Sequence, residues 1–83
     1  MNKFYNYKVT GDEYALTEAE HKYIAGLIEK GKSGLVVLRK GELFLNLNLI
    51  SSVHEITSKS EMERLAFTLP QDQLLKYLGK NEF

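Results

Sequence analysis

The stretch GLVVLRKGELFLNLNLISSVHEI, Gly34 to Ile56, carries the densest apolar patterning in the chain and one reversal, at Lys40-Gly41. Leu35 to Arg39 reads as a strand and Glu42 to Asn48 as its return. Along the returning limb Leu43, Leu45, Leu47 and Leu49 alternate with Phe44, Asn46 and Asn48, which puts leucines on one face and Phe/Asn on the other. The turn lacks the favoured Asn-Gly pair, so a bulged type I turn and a two-residue loop stand as equal alternatives. Leu49-Ile50-Ser51-Ser52 breaks the alternation and predicts a bend or short 3₁₀ turn, followed by a further strand from Val53 to Thr57. The expectation is a central hairpin that continues into a third strand of one small sheet, with the rest of the chain covering one face.

Upstream, Lys3 to Thr10 reads as a strand with Tyr5, Tyr7 and Val9 on one face and Phe4, Asn6 and Lys8 on the other. Gly11-Asp12 signals a turn, and Glu13 to Leu16 a brief extended piece. Thr17-Glu18-Ala19-Glu20 fits a capping box with Thr17 as N-cap, and Gly31 fits the position just past a helix end. Between them Ala19, Tyr23, Ile24, Leu27 and Ile28 recur at helical spacing, with His21, Lys22, Glu29 and Lys30 on the polar side.

Downstream, Glu63 to Leu69 supports two readings. The strand reading, favoured for its clean alternation, places Leu65, Phe67 and Leu69 in the core. SEMERLAF also fits a helix. Pro70 then opens a helix through QDQLLKYL that docks by Leu74, Leu75 and Leu78 and closes at Gly79, leaving Lys80 to Phe83 frayed. The predicted fold is α+β: an antiparallel sheet in the order β-α-β-β-β-β-α, with two helices packed on one face and a wetter opposite face.

Composition bounds the functional classes. Eighty-three residues make a single domain that buries roughly 60–65 % of its unfolded surface. The chain has no cysteine, which removes disulfides, thiol nucleophiles and thiolate metal sites. No apolar run follows the first lysine and none approaches the roughly 20 residues of a membrane span, so the expected location is the cytoplasm, away from the membrane. Formal net charge is zero, and all but two of the 11 basic residues (Arg39 and Arg64) are lysines. Such a balance is a poor match to phosphate-rich partners and lowers the repulsion between protein copies.

Catalytic constellations fail on geometry. His54 and Glu55 are adjacent on a strand and point to opposite faces. Ser52 and His54 share a face but stand roughly 6–7 Å apart, beyond hydrogen-bond reach. His21 and His54 lack the third ligand a zinc site needs. Gly26 to Ser33 formally matches the P-loop pattern G-x-x-x-x-G-K-[ST], yet it ends a helix and leads into a strand, the reverse of a P-loop's context. No cofactor and no catalytic residue is expected.

Two binding readings remain. In the first, a protein partner or a second copy is met by Tyr5, Tyr7, Phe44 and Phe83 as aromatic anchors, with Arg39, Lys40, Asn46 and Asn48 around them. In the second, Tyr5 and Tyr7 form a stacking platform for nucleic acid, aided by scattered lysines. Finally, ALTEAEHKYIAGLIEKGKSGLVVLRKGELFLNLNLISSV, Ala15 to Val53, resembles a pattern in short proteins of Gram-positive bacteria and their phages: a capped helix before a hairpin that ends in an Asn-Leu-x-x-Ile-Ser-Ser-like stretch. The resemblance implies a phage or mobile-element accessory protein that binds or inhibits a host protein.

Overall fold

The computed structural model describes residues 3–80, and side chains as far as residue 76. The expectations for Leu78 packing and for Phe83 therefore lie outside what it describes. The chain is a small α+β domain with an antiparallel sheet, as its patterning predicts. The element order is richer than expected: β1 (Phe4–Val9), β2 (Asp12–Thr17), α1 (Glu18–Glu29), β3 (Leu35–Leu38), β4 (Leu43–Asn46), β5 (Ile50–Glu55), α2 (Lys59–Leu65) and α3 (Gln71–Lys80).

The first strand, not the Gly34–Ile56 hairpin, is the centre. A three-stranded sheet runs β2-β1-β5, and β3-β4 form a separate two-stranded sheet. Glu13 to Leu16 belongs to a full strand because Thr10 and Gly11 take φ of 48° and 90°. Positive φ at both central positions gives a tight turn whose twist matches a hairpin. The register Val9↔Asp12 through Phe4↔Thr17 follows.

The expected continuation of the hairpin into its third strand fails at Leu47–Leu49, a 3₁₀ turn. Asn46 Oδ1 accepts the Asn48 N–H at 2.9 Å and turns the chain out of line. The chain therefore leaves β4 and pairs β5 with β1 instead, from Tyr5↔Glu55 to Val9↔Ile50. The hairpin's own reversal is neither proposed turn. Leu38 pairs with Leu43, and Arg39, Lys40 and Gly41 between them all have positive φ.

Alternate residues of β1 feed two separate cores. Tyr7 and Val9 pack with Leu16, Ile24 of α1, and Val36, Leu38, Leu45 and Leu47 of the hairpin side. Phe4 packs with Ala15, Ile56, Met62, Leu65 and Leu69. The helices thus divide between the two faces of β1 rather than sharing one, since the sheet is apolar on both. Of the expected leucine face, Leu45 and Leu47 are buried with Ile24 of the first helix and Leu43 is partly buried, whereas Leu49 is 47 % exposed.

Glu63 to Leu69 is helical, not a strand. Ser58 caps α2 by accepting the Glu61 N–H, and a 3₁₀ turn, Ala66–Thr68, follows. Met62, Leu65, Ala66 and Leu69 are buried while Phe67 is 77 % exposed. That is the helical 3–4 spacing, which the period-two reading mistook because Leu65 and Leu69 satisfy both. In α1 the capping box forms as expected, with Thr17 Oγ1 accepting from Glu20 N and Glu20 Oε1 from Thr17 N. Of its predicted stripe, Ile24 is buried and Leu27 half-buried, whereas Ala19, Tyr23 and Ile28 are exposed. α3 starts after Pro70, whose carbonyl accepts from Leu74 N, and runs past Gly79.

Candidate interaction surface

The predicted partner-facing residues separate into interior and surface sets. Tyr7 is buried, and its hydroxyl is hydrogen-bonded to His21 Nδ1 at 2.7 Å. Burial, then the neighbouring Tyr5, pushes the Tyr7 phenol up to about 12. Tyr5 is half-buried and stacks on the His21 ring, with centroids 3.8 Å apart and planes 12° from parallel. His21 therefore faces inward, contrary to its assignment to the polar side of the helix. It occupies the stacking surface on which a nucleic-acid base would have had to sit.

Arg39 is likewise an interior residue. Its Nε donates to Glu20 Oε2 at 2.7 Å and its Nη2 to Glu20 Oε1 at 3.0 Å. The same guanidinium donates to the carbonyls of Thr68 at 2.7 Å and Ala15 at 3.0 Å. The side chain is 9 % exposed. Burial pushes the Glu20 carboxyl up, but Arg39 and the Thr17 backbone outweigh it and hold the group below the ordinary range. Arg39 thus ties the start of α1, the outer edge of β2 and the chain after α2 to one point.

A second polar cluster lies on the other face of β1. Asn6 is fully buried and its Nδ2 donates to Glu13 Oε2 at 2.8 Å and Glu61 Oε2 at 3.0 Å. Arg64 donates to Glu13 Oε1 at 2.6 Å, and His54 Nε2 to Glu61 Oε2 at 2.7 Å. The Arg64 and Asn6 hydrogen bonds hold the Glu13 carboxyl down at about 2. Glu61 is also lowered, first by the Asn6 hydrogen bond, which together with His54 and Arg64 outweighs the opposing effect of burial. Each carboxylate accepts hydrogen bonds from side chains on other elements, which is the chemistry of a structural tie. Among the described residues, no group of three His, Cys, Asp or Glu side chains is placed to hold a metal ion.

What remains outside is the second face of the hairpin. β3 and β4 pair Val37 with Phe44 and Leu35 with Asn46, so these four side chains share a face. Leu35 is 62 %, Val37 52 % and Phe44 57 % exposed. Asn48 Oδ1 accepts the Gly34 N–H at 2.9 Å and, with Asn46, holds the open end of the hairpin. Lys40 stands exposed in the turn at the other end, with φ of 56°. The inner face of the same hairpin is core: Val36, Leu38 and Leu45 are buried. The hairpin thus presents a rigidly backed, apolar outer surface with an asparagine-pinned end.

Of the predicted residues, Phe44 forms this surface, Asn46 and Asn48 shape it, and Lys40 borders it. The reading missed Leu35 and Val37, although alternation from the buried Val36 and Leu38 places them outward. It also missed Asn6 and Glu20 as structural ties. Among the described residues, no helix is long and apolar enough to cross a membrane. No protein-family model matches the chain, and neither does any curated protein or solved structure.

Proposed function

We propose that the domain is a cytoplasmic, non-enzymatic protein-interaction module that binds its partner on the outer face of the β3–β4 hairpin. The observation that carries this reading is the cross-strand set Leu35, Val37 and Phe44, three large apolar side chains left outside on a hairpin whose other face is anchored in the core. An aromatic flanked by β-branched and leucine side chains, on a backbone that needs no ordering, is an economical anchor for a complementary apolar surface. The zero net charge and scarcity of arginine fit a protein partner better than a phosphate backbone. On the resemblance of Ala15 to Val53 to a pattern in short phage and Gram-positive proteins, a host protein is the partner to seek.

The test is affinity capture from cells that carry the protein, comparing the wild type with Val37→Lys and Phe44→Lys. Both positions are exposed, so the fold, checked by circular dichroism and melting, should survive. A specific protein retained by the wild type and by Phe67→Lys, but lost by both hairpin variants, supports the reading. Equal retention by all four proteins overturns it.

A further inference from the structure

The two edges of the three-stranded sheet are finished differently. The register of β2 turns the backbone groups of Glu13, Ala15 and Thr17 away from β1. Ala15 N–H donates to Thr68 Oγ1 at 2.8 Å and its carbonyl accepts from Arg39. Thr17 N–H donates to Glu20 Oε1 at 2.9 Å. That edge is closed at Ala15 and Thr17 by side chains from three other parts of the chain, which leaves only Glu13 with outward backbone groups that have no hydrogen-bond partner among the described residues.

On β5, Ile56 N–H donates to Phe4 O at 2.8 Å, so in this register Ile56, His54 and Ser52 face β1. Val53 and Glu55 face outward, and their backbone groups have no hydrogen-bond partner among the described residues. Every residue from Ser51 to Glu55 is exposed. Lysine and proline, the usual guards of an exposed edge, are absent from ISSVHE. Only the Ser51 end is irregular, where the register shifts between Lys8 and Val9 and Ser51 Oγ donates to Lys8 O at 3.1 Å.

We infer that β5 is the seam of a two-fold homodimer, in which two β5 strands pair antiparallel about His54 and join the sheets into one of six strands. Three features select a second copy. The outward residues of the regular segment are Val53 and Glu55, and pairing about His54 sets each Val53 against the other copy's Glu55. All four outward donors and acceptors per strand are then satisfied, and Glu55 never meets Glu55. The irregular Ser51 end stays outside the paired segment, so the bulge does not block the contact. Two copies with zero net charge carry no overall repulsion. An isologous contact of this kind closes on itself and does not propagate. It uses a surface separate from the outer hairpin face, so either can stand without the other.

The cysteine-free chain makes the test direct. Single substitutions Ser52→Cys, Val53→Cys, His54→Cys and Glu55→Cys are oxidised and resolved on a non-reducing gel, and wild-type mass is followed by light scattering as a function of concentration. Residues opposite each other in a non-hydrogen-bonded pair are the closest across two strands, so His54→Cys should give the dominant crosslink. Val53→Pro removes an outward N–H that β1 does not use and should weaken the dimer about tenfold or more, with Val53→Lys as a milder second variant should proline disturb the fold. Val37→Lys should leave the dimer intact. A wild type that stays monomeric to millimolar concentration, a dimer insensitive to both Val53 variants, or crosslinking that peaks away from His54 would overturn the inference.

Discussion

Replacing Arg39 with alanine should be among the most damaging single changes outside the apolar core. Four hydrogen bonds disappear at once, two of them from a guanidinium to the Glu20 carboxylate. Glu20, at 15 % side-chain exposure, is then left as a nearly buried charge whose remaining partner is the Thr17 backbone. Breaking one side of such a pair costs about 3–5 kcal/mol when burial is complete. Residual solvent access and the surviving Thr17 bond place Arg39→Ala at the lower end, about 3 kcal/mol. A chain of 83 residues has a total stability of about 4–12 kcal/mol. The melting temperature should therefore fall by about 12–24 °C. Thermal unfolding followed by circular dichroism reads this out, with the exposed neighbour Lys40→Ala as a control that should change stability by less than about 0.5 kcal/mol. A double-mutant cycle with Glu20→Gln should give a coupling of at least about 1 kcal/mol. A drop of less than about 4 °C would refute the view that Arg39 ties α1, β2 and the chain after α2 together.

Stability should also fall in acid through Glu13. Its folded pKa, about 2, lies below the ordinary 4.5, so the group stabilises the fold above that ordinary value. The contribution is lost as pH drops from about 4.5 to about 2, and urea midpoints across this window should show a slope that Glu13→Gln flattens. Asn6→Asp would set a third carboxylate against Glu13 and Glu61 in a fully buried position. It should cost about 3 kcal/mol or more at pH 7 and recover in acid, as measured by chemical denaturation. Lys40→Gly should raise stability by about 0.5–1 kcal/mol, because it relieves a left-handed backbone at φ 56° at the expense of some unfolded-state entropy.

The parts of this fold that could be read from the sequence were those whose signal is local. Thr17 and Glu20 announce a helix start because both halves of the capping box lie within four residues. The alternation of Leu43, Phe44 and Leu45 identifies a half-buried strand for the same reason. Strand pairing was not legible, since a three-residue 3₁₀ turn at Leu47–Leu49 redirects β5 to a partner more than forty residues earlier. Nor was the second polar side of β1, where Asn6 looks like a solvent-facing residue until α2 brings Glu61 over it. Arg39 reads as a turn-flanking surface cation, and only the fold carries Glu20, Ala15 and Thr68 to it. Burial on both faces of β1 is what converts its aromatic and polar residues from candidate contacts into interior ones.

Amide and methyl chemical-shift mapping of the labelled protein, titrated with the captured partner, locates the surface on which the two meet. The perturbed signals should centre on Leu35, Val37 and Phe44, with Tyr7, Arg39 and the α2 residues Met62 and Leu65 unmoved. Perturbations centred on α2 and Phe67, with the outer hairpin face silent, would contradict binding on the hairpin.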